Sequence, residues 1–236
     1  MSQNLWRLCG SCLAALALAA ASSGSALSQT KRQPIAPEAT ATSPAGAPNI
    51  MAPGSANVEG FRSAKFGMNA EQVRMAIEHD FNLKGSAIKE QPNLAERTTV
   101  LSVNVSELLP GGGVANVSYV LGYESKRLIQ VSISWSKTTD ERMTPEQLFT
   151  NSTVLRENFL AEGFEPNTIA SNMPISNGIL DFRGSDAKGH TVMLILQGTM
   201  TEGQDKQKIL QPTALLLFYV ADAKAPDIYH LPPGSF

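Results

Sequence analysis

Two tetrapeptides, Asn69-Ala-Glu-Gln72 and Thr144-Pro-Glu-Gln147, constrain this chain most tightly. Each has the form of a capping box, in which a short polar side chain accepts from the amide three residues on and a glutamine reaches back. Behind the first, Val73, Ala76, Ile77 and Phe81 recur near the helical period, while Glu71, Arg74, Glu78 and His79 fall elsewhere on the circumference. Behind the second, Pro145 sits at the first helical position, where its missing N–H costs nothing. Leu148, Leu155 and Phe159 mark one stripe there, and Gly163 offers a left-handed terminator. Helices are therefore expected over 69–80 and 145–161.

A run of strand signals follows each helix. The first set is Thr98–Val105, Val114–Tyr123 and Leu128–Trp135, and the second is Gly178–Arg183, Thr191–Gln197 and Thr213–Ala221. The third strand is the most regular: Ile129, Val131, Ile133 and Trp135 alternate with Gln130, Ser132 and Ser134, the pattern of a sheet with one buried and one open face. Leu215–Val220 is apolar throughout, which fits a strand paired centrally or covered on both sides. Pro110–Gly113, Glu124–Arg127 and Gly184–Gly189 read as turns, and Thr199–Pro212 as a longer polar loop. The expected fold class is α+β: two αβββ half-repeats, residues 58–140 and 141–236 with a Pro-rich tail, building an antiparallel sheet with the helices packed on one face. The inward set includes Val73, Ile77, Leu101, Val103, Ile129, Val131, Ile133, Trp135, Leu148, Phe159, Leu194, Leu216 and Phe218.

The first 26 residues have the form of a secretory leader. Arg7 is the positive n-region, Leu13–Ala21 the apolar h-region, and Gly24-Ser25-Ala26 a small-residue cleavage site. The apolar run is too short to span a bilayer, and no later segment does so, so no transmembrane segment is expected after cleavage. Cleavage removes Cys9 and Cys12, and with them disulfides, thiolate metal sites and a cysteine nucleophile. Losing Arg7 leaves 18 basic against 21 acidic residues, a net of −3 where the full chain has −2. Such a balance carries no footprint for nucleic acid. Residues 27–57, with five prolines and no aromatic residue, read as a disordered tether. The expected location is the periplasm or the exterior.

Chemistry finds little to stand on. His79, His190 and His230 lack ligand-spaced partners, so no metal site is expected, nor any cofactor. Ser134-Trp-Ser-Lys137 fits Ser-x-x-Lys formally, but its serine falls on a strand where that chemistry needs a helix start. Pro110–Gly113 precedes a strand, whereas a phosphate cradle must feed a helix N-terminus. Asp181 and Arg183 share a strand face by alternation and read as a surface ion pair. No catalytic residue is assigned.

What remains is a surface. Ser102, Asn104, Ser118, Gln130, Ser132 and Ser134 are expected to point away from the helices and to form a weakly charged patch that costs little to desolvate against a partner. The order of elements is similar to the tandem α/β architecture of the β-lactamase inhibitor protein family. Single units of related shape occur in outer-membrane assembly lipoproteins of the BamE type. The segment Phe66-Gly-Met-Asn-Ala-Glu-Gln-Val73 resembles the opening of many exported bacterial proteins. The resemblance implies helices on one side of an antiparallel sheet and an open face that binds protein. The disulfides of the first family and the lipidated cysteine of the second have no counterpart here. The expected function is that of an exported, non-enzymatic binding or accessory protein that docks an envelope protein through its open sheet face. The alternatives are an exported hydrolase built around His190 with Asp181 or Asp186, and a small-ligand carrier between helices and sheet.

Overall fold

A computed structural model describes residues 50–202, 208–231 and 234. The leader and most of the expected tether, residues 1–49, lie outside them. Helix α1 spans Ala70–Phe81 and α2 spans Pro145–Ala161. Both capping boxes form as the sequence predicts: Asn69 and Thr144 accept from the amides of Gln72 and Gln147, and both glutamines return the bond. Asn82 ends α1 in the left-handed conformation. Gly163, at φ +74°, turns the chain after α2, where a Cβ would stand 2.3 Å from the Ala52 carbonyl oxygen.

A small hairpin, β1 (Gly60–Phe61) and β2 (Ala64–Lys65), precedes α1. The remaining strands are β3 (Lys89–Asn93), β4 (Thr98–Val105), β5 (Ala115–Leu121), β6 (Leu128–Ser136), β7 (Ala170–Ile175), β8 (Gly178–Ser185), β9 (Thr191–Glu202) and β10 (Lys208–Val220). They form one antiparallel sheet in the order β3-β4-β5-β6-β10-β9-β8-β7. The fold is α+β, as expected, but four strands follow each helix rather than three. The additional two, β3 and β7, are the outer edges. Each contains a proline, Pro92 or Pro174, which withholds a ladder donor and suits only an edge. A one-turn 3₁₀ helix, Gly85–Ala87 or Pro166–Thr168, leads into each.

One hydrophobic core unites both helices with one face of the sheet. Val73 and Ile77 of α1 and Leu148 and Phe159 of α2 meet Leu101, Val117, Ile133, Trp135, Leu194 and Leu215 there. Trp135 is completely buried, as its alternation predicts. Phe159 stacks on Phe182, with ring centroids 5.4 Å apart.

Several expectations are corrected. Leu216 and Phe218 lie on the face opposite the helices, because their even-numbered register pairs them with Ser134 and Ser132. Ile129 is half-buried and outside the core, since a bulge between the paired stretches of β5 and β6 brings Leu128 inward instead. A second bulge frees Asp181 from the β8–β9 ladder, turning it toward α2 while Arg183 stays on the opposite face. The two therefore do not form the surface ion pair. The stretch 199–212 is largely ladder: β9 and β10 pair from Gly198 with Pro212 to Glu202 with Lys208. Finally, the last part of the tether is ordered and docked. Met51 and Ala56 donate to the carbonyl oxygens of Ala161 and Gly163, and Val58 is buried.

Candidate functional site

The register places all six singled-out side chains on the face away from the helices. Ser102, Ser118 and Ser132 stand opposite one another in one row across β4, β5 and β6. Asn104, Asn116 and Ser134 form the next row. Gln130 faces Val120 toward the other end of the strands. The odd-numbered neighbours Val103, Val117 and Ile133 point into the core, so alternation forces this arrangement. Asn116, which sequence reasoning passed over, ties the rows together: its Nδ2 donates to Asn104 Oδ1 at 2.8 Å, and Ser118 Oγ donates to its Oδ1 at 2.9 Å. Ser118 is buried in this network, Asn104 is exposed, and the other four are half-exposed.

The same rows run on into different chemistry. Beyond Ser132 come Phe218, Met193 and Arg183, and beyond Ser134 come Leu216, Ile195 and Leu180. The face thus divides at its middle, hydroxyl and amide groups on β4–β6 and apolar side chains on β10, β9 and β8, of which Phe218, Ile195 and Leu180 are buried and Leu216 and Met193 half-exposed. The apolar half was missed because Leu215–Val220 has no alternation from which its facing could be read. Helix α2 packs over β8, β9 and β10 from the other side.

Titratable groups gather elsewhere, and their partners fix what they can do. The Asp186 carboxylate accepts from the amides of Val58, Lys188 and His190, each at 2.9 Å. His190 Nδ1 meets the Val58 carbonyl oxygen at 2.5 Å. These two residues clasp both backbone groups of Val58, which is a packing role. Asp181 instead bonds Ser152 Oγ of α2 and lies 3.6 Å from Arg156. Of the expected hydrolase pairings, His190 with Asp181 is therefore divided between two separate clusters, whereas Asp186 lies 3.5 Å from His190 Nδ1 with its oxygens taken up by backbone amides.

Ser63, His79 and Asp80 do come together, but through one nitrogen. His79 Nδ1 is 3.0 Å from both Ser63 Oγ and Asp80 Oδ1. One nitrogen cannot take the serine proton while it donates to the carboxylate, so the geometry is not that of a nucleophile–base–orienter relay. Burial opposes the charge on Asp80, yet hydrogen bonds from Ser63 and His79 outweigh it and hold the carboxyl below its usual range. A cleft of about 410 Å³ opens beside this cluster, lined by Arg62, Asp80, Phe81 and Glu107 among others. Arg62 is engaged within it, donating to the Asp80 backbone carbonyl oxygen at 3.5 Å and lying over the Phe81 ring.

The glycine-rich loop 110–113 is a docking element for α2. Asn151 Nδ2 donates to the Gly112 carbonyl oxygen at 2.9 Å, and a Cβ on Gly112 would stand 2.8 Å from that of Leu109. Asp140, before α2, accepts from the Val114 amide at 3.1 Å. That bond and one from Arg142 keep its carboxyl low. Among the described residues, no group of three His, Cys, Asp or Glu side chains could hold a metal ion. No described helix is long and apolar enough to cross a membrane. Comparison with protein-family models, with curated proteins and with solved structures returned no match.

Proposed function

We propose that the protein is an exported accessory protein of the cell envelope that docks a protein partner through the sheet face opposite its helices. The observation that carries this reading is the composition of that face: short hydroxyl and amide side chains beside the half-exposed Leu216 and Met193, with neither α1 nor α2 packed on it. Hydroxyls and amides exchange water for a partner's hydrogen bonds at small cost, and apolar side chains supply the driving force. The clusters of titratable groups favour no reaction, because their polar atoms bind the fold's own backbone and side chains. The export component rests on the leader pattern at residues 1–26.

We further read the two helix-plus-strand units as a duplication, akin to the tandem α/β proteins. The order helix, 3₁₀ turn and four-stranded meander occurs twice, with capping boxes at corresponding places. The units also exchange support: the β4–β5 loop docks on α2 through Asn151, and the β8–β9 turn clasps Val58 ahead of α1.

Affinity capture from an envelope extract, with the full chain as bait, tests the docking face. Ser132→Arg and Ser134→Arg should abolish capture of the partner without changing the melting curve. Val154→Lys, on the exposed side of α2, should leave it intact. Capture that survives both arginine substitutions sinks the reading. Intact mass of the envelope species should lack about the first 26 residues.

A further inference from the structure

Among the described strand side chains, the charges on the docking face have one sign. Lys89 of β3 aligns with Ser102, and Arg183 of β8 aligns with Met193, so the two cations flank the part of the row that contains Ser118, Ser132 and Phe218, with only Ala170 of β7 beyond Arg183. Among the strand side chains that are described, none of the chain's acidic residues lies on this face. Glu90 is turned to the helix side, where it pairs with Arg74, and Asp181 is turned there by its bulge. Neither Lys89 nor Arg183 makes an ion pair with a described residue.

Resting on the docking reading above, we propose that the partner presents an acidic segment laid across the strands, with one carboxylate on Arg183 and another on Lys89. Six strand spacings of ~4.8 Å separate the two, about 29 Å. An extended segment covers that span in roughly nine residues at ~3.3 Å each. The chemistry along the row sets its polarity. Near Arg183 the segment meets the half-exposed Met193 and Leu216, set between the buried Phe218 and Ile195, and needs apolar side chains; near Lys89 it meets serines and asparagines and needs hydrogen-bonding ones. Arg183 can grip a carboxylate with two parallel bonds, whereas Lys89 offers a point charge. Crossing the strands, rather than extending the sheet, agrees with the proline in each outer strand. Two isolated cations on a chain of net charge −2 are too few to hold a phosphate backbone, which excludes nucleic acid as the favoured occupant.

Selection of random displayed peptides on the immobilised full chain tests the inference. Binders should be enriched in Asp and Glu, and their NMR footprint should fall on β4–β6 and β8–β10. Arg183→Gln and Lys89→Gln should each weaken them roughly tenfold, and added salt should weaken them further. The doubly reversed variant, Arg183→Glu with Lys89→Glu, should select basic peptides instead. Both pairs of changes are at accessible positions, and Arg183→Lys should restore part of the affinity lost in Arg183→Gln. Peptides that map to this face but are not acidic, and that ignore the substitutions, overturn the acidic partner while leaving the docking face in place. Footprints elsewhere on the molecule overturn both. Tighter capture of oligonucleotides than of acidic peptides by the same face overturns the assignment of a protein segment.

Discussion

Trp135 offers the sharpest test of which sheet face is inside. It is completely buried on β6, opposite Leu215 of β10. A buried tryptophan removes about 250 Å² from water. At ~25 cal/mol per Å² that burial is worth about 6 kcal/mol, part of which an alanine methyl retains. The indole Nε1 has no hydrogen-bond partner among the described residues, so truncation breaks no polar contact and the cost is one of packing. Trp135→Ala should therefore destabilise by about 3–5 kcal/mol, a large share of the roughly 5–15 kcal/mol that holds a typical domain. Urea titration followed by far-UV circular dichroism measures it as a lower midpoint at unchanged slope. Trp135→Phe keeps a ring in place and removes a donor without an acceptor, so it should cost markedly less. Peptide or partner binding per folded molecule should not change in either variant. A loss under about 1 kcal/mol would place Trp135 outside the core, and loss of binding at full stability would place it on the docking face.

Other consequences follow from the loops. Asn151→Ala leaves the Gly112 carbonyl without its buried donor and should cost about 1–2 kcal/mol, with faster amide exchange confined to residues 109–114. Gly112→Ala forces its new methyl against Leu109 and Asn151 and should destabilise by about 1–3 kcal/mol, read in the same titration. Burial works against the charge on Asp227, but the Ser125 hydroxyl and the amides of Glu124 and Ser125 overcome it and keep the carboxyl below its usual range. A depressed carboxyl stabilises above its unfolded value, about 3.9, and loses that contribution as pH falls through the folded one. Asp227→Asn should therefore flatten the acid limb of the stability curve below about pH 4. Glu96 has the opposite sign, because burial raises its carboxyl. Its cost is absent at low pH and grows as pH rises through the raised value, so Glu96→Gln should stabilise at neutral pH and do nothing at about pH 3.

Local chemistry made part of this fold legible and geometry hid the rest. Capping boxes act over three residues, so Asn69 and Thr144 announced their helices directly. Alternation in Leu128–Trp135 disclosed the serine rows, because polar and apolar residues took turns. The strands Lys89–Asn93 and Ala170–Ile175 gave no such signal: as edges they bury little, and each contains a proline that argues against a strand in isolation. Leu216 and Phe218 could be assigned to a face only through their partners Ser134 and Ser132. The Asp181 bulge is likewise invisible in one strand, since it exists only as a mismatch between two. Arg183 and Lys89, distant in sequence, came into one row through register alone.

The strand order places β10, the last strand in the sequence, in the middle of the sheet. Strand β10 pairs with β6 on one side and β9 on the other, so the sheet is two separate meanders until the final strand is in place. The contacts that join them, such as Ser136 with Ala214, are far apart in sequence, and closures of that kind are slow. A chain lacking β10 has no strand to join the two meanders, and its sheet remains open between β6 and β9. Trimming the C-terminus past Val220 would thus remove a centre rather than an edge and leave two sheets with no seam.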